Sequence, residues 1–172
     1  MTATSLLGDA FGHHIWATER LIDACAALTP EQLRTPAPGT YGPIGDTLRH
    51  LVHSDSWYLS FFRSDLPSPT DDEANAMGLA ELRSLITRNG TAWAELLATG
   101  IDPDEIIVER DEGGELHSPI GVRLAQVIHH GTDHRSHVCT ALTSLGVTPP
   151  EMDVWAFARE TGREREVAAP SS

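Results

Sequence analysis

The chain has 172 residues, 40% of them hydrophobic and 22% charged, with a net charge of −13 at pH 7. That length suits one domain able to fold on its own core, with no need of a disulfide or structural metal. The acidic balance excludes nucleic acid, whose phosphates require a basic face, and anionic membrane surfaces; no apolar run approaches the roughly 20 residues of a membrane span.

The opening residues, MTATSLLGDAFGHH, carry neither a basic segment nor a long apolar one, so the expected location is cytoplasmic. All 12 basic residues are Arg, which removes lysine Schiff-base chemistry. Cys25 and Cys139 are too few for a disulfide framework and lack C-x-x-C spacing.

The first helix is expected from about Ser5 to Leu28, with Leu7, Phe11, His14, Thr18, Leu21, Cys25 and Leu28 on one stripe. Thr29-Pro30 and the Pro/Gly-rich stretch from Pro36 to Pro43 end it. A second helix runs from about Pro43 to Ser64, with Ile44, Leu48, Leu51, Asp55, Leu59 and Phe62 facing inward. Pro67 and Pro69 break the chain, and a third helix is read from Asp71 to about Thr99, stopped by Gly100. The β-prone Ile106-Ile107-Val108 and the turn signal Glu112-Gly113-Gly114 predict a short hairpin within Glu105 to Ser118. Pro119 opens a long fourth helix ending at Gly146, and Asp153 to Thr161 suits a short fifth. The fold class is therefore all-α: a four-helix bundle with a β-hairpin before its last long helix, its helices not necessarily in simple up-down order. The bundle takes residues 1–162, and 163–172 read as a flexible tail.

Nine histidines stand out in this composition. On the fourth helix, His134 falls at about −40° within the apolar stripe and His130 at about −80° along its edge, while His129 points away. His137 also lies on the edge, at about −100°. An i, i+4 pair such as His130 and His134 projects two imidazoles one turn apart and can chelate one ion. The plain alternative is a pair of hydrogen-bonded core histidines. An H-E-x-x-H protease is a poor match, because Gly131, Thr132 and Asp133 separate the pair and no Glu follows His130. On the second helix, His50 aligns with Trp57 and Phe61 on the flank of the apolar face, whereas His53 sits among polar residues and is expected to be solvated. Three imidazoles from two facing helices would leave a tetrahedral ion one open position. Trp57 is the best placed tryptophan to line such a pocket. Asp55, inside an apolar stripe, needs a partner. Arg135 is one candidate, and a ring N–H of a ligating His is the other. His14 reads as a satisfied core or pocket-lining residue.

The stretches TLRHLVH, HHGTDHRSHV and PPEMDVWAFARETG, in that order and spacing, resemble the DinB/YfiT-like superfamily over nearly the whole chain. The resemblance implies a four-helix bundle, often dimeric, hence a homodimer. It also implies a metal site of one His from the second helix and an H-x-x-x-H pair from the last long one, which are His50, His130 and His134 here. Many members read NHGTHHRGQ where this chain has HHGTDHRSH, so His137 stands in place of Gln as a fourth ligand, a substrate contact or a proton carrier. Several branches use a divalent ion, Zn²⁺ or a similar metal such as Ni²⁺, to activate a low-molecular-weight thiol. They include mycothiol- and bacillithiol-dependent S-transferases and a maleylpyruvate isomerase. The expected function is thus metal-dependent S-transfer from a small thiol to a small-molecule electrophile. The all-Arg composition, a sign of GC-rich coding, points to mycothiol. The alternatives are a hydrolase using zinc-bound water, with His137 or Asp55 as base, and a non-catalytic metal-binding dimeric protein.

Overall fold

A computed structural model describes residues 6–167. The elements are α1 (Leu6–Cys25), α2 (Pro30–Arg34), α3 (Ile44–Ser60), α4 (Asp71–Ala76), α5 (Leu79–Leu97), β1 (Ile106–Asp111), β2 (Gly114–Pro119), α6 (Ile120–Ser144) and α7 (Val154–Glu160). The long helices α1, α3, α5 and α6 form the bundle. Helix α1 packs on α5 and α6, and α3 packs on the same two. Successive long helices α1 and α3 therefore stand on a diagonal, and the expected four-helix bundle is not a plain up-down one. Along the α3–α6 seam, His50 meets His130, Tyr58 meets Gln126 and Phe61 meets Arg123. Numbers rise on one helix as they fall on the other, so these two helices run antiparallel.

The amphipathic stripes explain the packing. Phe11, Ala17, Leu21, Ile22 and Cys25 are buried from α1, and Ile44, Leu48, Leu51, Val52 and Leu59 from α3. Leu7 falls outside the core, 40% exposed, so the α1 stripe frays at its start. One apolar cluster centres on Leu21, Leu48, Ile86 and Leu142, the other on Phe11, Trp93, Leu124 and Val127.

Several boundaries differ from the expectation, the first helix ending at Cys25 ahead of Leu28. Thr29-Pro30, read as a break, starts α2: the Thr29 hydroxyl accepts the Gln32 N–H, the Gln32 side chain accepts the Thr29 N–H, and Pro30 occupies the first turn. The single helix expected from Asp71 to Thr99 is two. Met77 is extended (φ −66, ψ 134), and the Glu81 carboxylate accepts the Gly78 N–H at 2.8 Å to begin α5 afresh. The second helix ends at Ser60, ahead of the expected Ser64. His53 is not solvated as expected but half-buried, and its Nε2 meets the Pro69 carbonyl at 2.9 Å.

The hairpin is present, with Val108 opposite His117 and a turn at Glu112 and Gly113. Arg123 of α6 ties it down: it donates to Glu109 at 2.8 Å and Ser118 at 3.1 Å and lies 4.2 Å over the Phe61 ring. Asp153 caps α7 by accepting the Ala156 N–H at 2.8 Å. Of the expected tail, residues 163–167 form no helix or strand, and 168–172, like the expected helix start at Ser5, lie outside the described residues. No helix among the described residues is long and apolar enough to cross a membrane.

Candidate metal centre

His50 enters the α3–α6 seam from one side, and His130 and His134, one turn apart on α6, from the other. Their ligand atoms all lie within 4.8 Å of one another. The Nε2 atoms of His50 and His130 are 3.1 Å apart; two nitrogens at zinc-bond length on a tetrahedral ion would be about 3.3 Å apart. Ring centroids are 4.3 to 5.0 Å apart around the triad. Burial holds His130 and His134 down to about 4, helped by the neighbouring imidazoles, and burial followed by His53 lowers His50. Near neutral pH the rings are uncharged, so a cation meets no positive charge there and can replace the His50–His130 hydrogen bond. His134 is 7% exposed, and its Nδ1 is buried without a partner. An imidazole buried with an unpaired nitrogen is costly alone and ordinary beside an ion. The donor set therefore fits one divalent cation.

Around the triad stand groups that the helical wheel does not reveal. Tyr41, from the loop before α3 and 53% exposed, stacks on His50 at 4.4 Å and meets His134 edge-on at 4.8 Å. Its loop reads in sequence only as a helix breaker, and the aromatic inside it is the signal that this reading passes over. Tyr58 meets His130 edge-on at 5.9 Å, and its hydroxyl accepts from Gln126 at 3.2 Å. Trp57 is 38% exposed and packs on Tyr58 and Phe61, so the ring against His130 belongs to its neighbour. His137 lies 5.5 Å from the His134 ring and outside the cluster that shares reach of one ion. Its Nδ1 is buried and unpartnered. His129 is exposed on the far side of α6. A surface groove of ≈ 970 Å³ between α1 and α5 is on the opposite side of the bundle.

Asp55 and Arg135 are both buried but do not pair, and neither expected partner of Asp55 is the one it has. His14, 1% exposed, stands between them. Arg135 Nη1 is 2.9 Å from His14 Nδ1, and His14 Nε2 is 3.0 Å from Asp55. A guanidinium can only donate, so Nδ1 accepts and Nε2–H donates to the carboxylate. Asp55 also receives Asn89 at 2.8 Å and the Trp93 indole at 3.2 Å. The carboxylate is thus occupied on both oxygens, away from the triad. Cys25 is equally inert: burial pushes its thiol up to about 12, and burial also raises Cys139.

The DinB family model matches residues 1–167. The chain belongs to the DinB family. Among curated protein sequences none matches this DinB chain. Among solved structures it is similar to YfiT from Bacillus subtilis, described as a probable metal-dependent hydrolase with an unusual four-helix bundle topology, with a TM-score of 0.62. Identity is 18%, over 86% of this chain and 93% of that one. At that identity the likeness establishes a shared fold.

Proposed function

We propose that this DinB protein is a metal-dependent enzyme in which His50, His130 and His134 hold one divalent ion, with Zn²⁺ suited to the three imidazoles. The reaction we assign is transfer of a small thiol, mycothiol in our reading, to a small electrophile. The observation that carries this is a neutral three-imidazole cluster with its nearest buried carboxylate fully engaged elsewhere. The ion, when bound, lowers the pKa of a thiol or water that joins it. A free thiol starts at about 8.5 and water at about 15.7, so a thiol lowered in this way gives its proton to solvent without a dedicated base. That suits a chain whose Asp55 is engaged elsewhere and whose cysteines are not thiolates. Tyr41 and Tyr58 flank the triad and would hold the substrate between their rings, with Trp57 next along α3. His137, beside His134, would contact the substrate or carry a proton.

Hydrolysis is the second reading, favoured by the fold shared with YfiT. It needs a group to take a proton from water, and with Asp55 engaged that task falls to His137.

The test uses purified protein with measured metal content. About one ion per chain, lost in His50→Ala and His130→Ala, supports the centre. Conjugation of mycothiol to monochlorobimane above the His130→Ala background supports S-transfer. Turnover of ester or amide substrates without any thiol, lost in His137→Ala, would move the assignment to hydrolysis.

A further inference from the structure

The cluster of His14, Asp55, Arg135, Asn89 and Trp93 is fully buried, and neither reading of the reaction uses it. Its members come from all four long helices, α1, α3, α6 and α5. Nothing in it is open to substrate. Its place along α6 is the informative feature. A Cβ on Gly131 would collide with the His14 ring and lie 2.9 Å from Arg135 Nη1. The His14 ring therefore lies directly on the α6 backbone, at the residue following His130. Arg135 follows His134, and besides His14 Nδ1 it donates to Thr18 Oγ1 at 3.2 Å and to Thr132 Oγ1 at 3.2 Å. At the other end, His14 is held by Asp55, which lies on α3 five residues past His50.

We infer that His14 is a positioning residue for the metal centre. Through Asp55 on one side, and through Gly131 and Arg135 on the other, it sets the spacing of α3 and α6 at the level where His50 faces His130 and His134. Metal–nitrogen bonds tolerate deviations of only a few tenths of an ångström. A ligand set divided between two helices therefore depends on whatever fixes their separation. An apolar contact slides and repacks. A chain of directed hydrogen bonds with one allowed tautomer does not. The inference rests on the triad reading above and concerns how the triad is held, not which reaction follows.

The experiment loads the full chain with Co²⁺ and records its visible ligand-field spectrum and its affinity well below the melting temperature. His14→Gln is expected to weaken Co²⁺ binding about tenfold, the lower end of what loss of a supporting group costs a metal site, and to shift the spectrum. Leu82→Ala, in the core of a helix with no candidate ligand, serves as the control; it should destabilise the fold and leave spectrum and affinity unchanged. Thr18→Val removes one Arg135 acceptor with little change of shape. It is read in the same way should His14→Gln fail to fold, with at least a threefold loss expected. An unchanged spectrum and affinity in a folded His14→Gln, or in Thr18→Val where that variant is the one read, overturns the inference. So do changes of equal size in Leu82→Ala, which would make the effect one of general stability. Wild-type protein that binds no Co²⁺ overturns the triad reading itself, a result distinguishable from the others.

Discussion

Gly131 reverses the usual ranking of helix residues. Replacing a helical Gly by Ala ordinarily gains about 1 kcal/mol. Here the new methyl group would occupy the space of the His14 ring, so Gly131→Ala should instead lose about 1–3 kcal/mol, the range for overpacking a buried site. Urea denaturation of the metal-free protein measures this, and a gain in stability would show that the ring can move aside. Tyr41 is the opposite case. It is more than half exposed, so Tyr41→Ala should change stability by no more than about 0.5 kcal/mol. It uncovers His50 and His134, however, and a chelator should strip the metal several-fold faster than from wild type. Equal stripping rates would mean that the ring does not shield the centre. These residues also mark how far sequence reading reaches. The wheel puts His130 and His134 on one face because rotation along a helix is local. It gives directions and not distances, so it cannot show His14 interposed between Asp55 and Arg135. Nor can it place Tyr41, which lies on no helix.

At the scale of elements, the long helices were legible because their apolar periods are sustained over many residues, and the hairpin because its turn residues are explicit. The short α7 is legible, but α2 and the separateness of α4 escape the reading although their signals are present. Thr29 with Gln32 and Thr70 with Glu73 are capping boxes, and Pro30 after Thr29 is a helix start as readily as a break. The split between α4 and α5 escapes periodicity because a two-residue interruption barely disturbs the phase of the apolar stripe. Part of the hairpin's attachment is also invisible to pattern, since beside the packing of Ile107 on the core it uses a long-range side chain. Arg123 reaches Glu109, Ser118 and the face of Phe61 from a nearly buried position. Arg123→Met keeps much of the packing and loses the charge-assisted bonds, so it should cost about 2 kcal/mol. Amide exchange across residues 106–119 should rise more than elsewhere. A uniform rise over the bundle would show that Arg123 supports the core and not the hairpin.

The whole molecule combines a strongly negative charge with a set of histidines that resist protonation, and the two respond oppositely to acid. Lowering the pH reduces net repulsion from −13, which favours the folded state. His130 and His134, held down to about 4 by burial and by one another, work against it. The unfolded chain takes up protons near the ordinary value of 6.5, where the folded chain refuses them. The stability attached to these rings is complete above about pH 6.5 and is lost progressively down to about pH 4. His14, His13 and His50, also lowered chiefly by burial, add in the same direction. Salt near 0.15 M, with a Debye length of about 8 Å, damps the net-charge effect, while buried groups are screened much less. The histidines should therefore dominate between about pH 6.5 and 5.5, above the carboxylate range. Metal-free wild type should lose urea resistance across that interval, and a His130→Gln/His134→Gln variant should lose distinctly less. Comparing the two cancels the shared net charge. Parallel profiles would mean that the triad takes up protons freely in the folded state, and that its rings are not the neutral, metal-ready set that their burial implies.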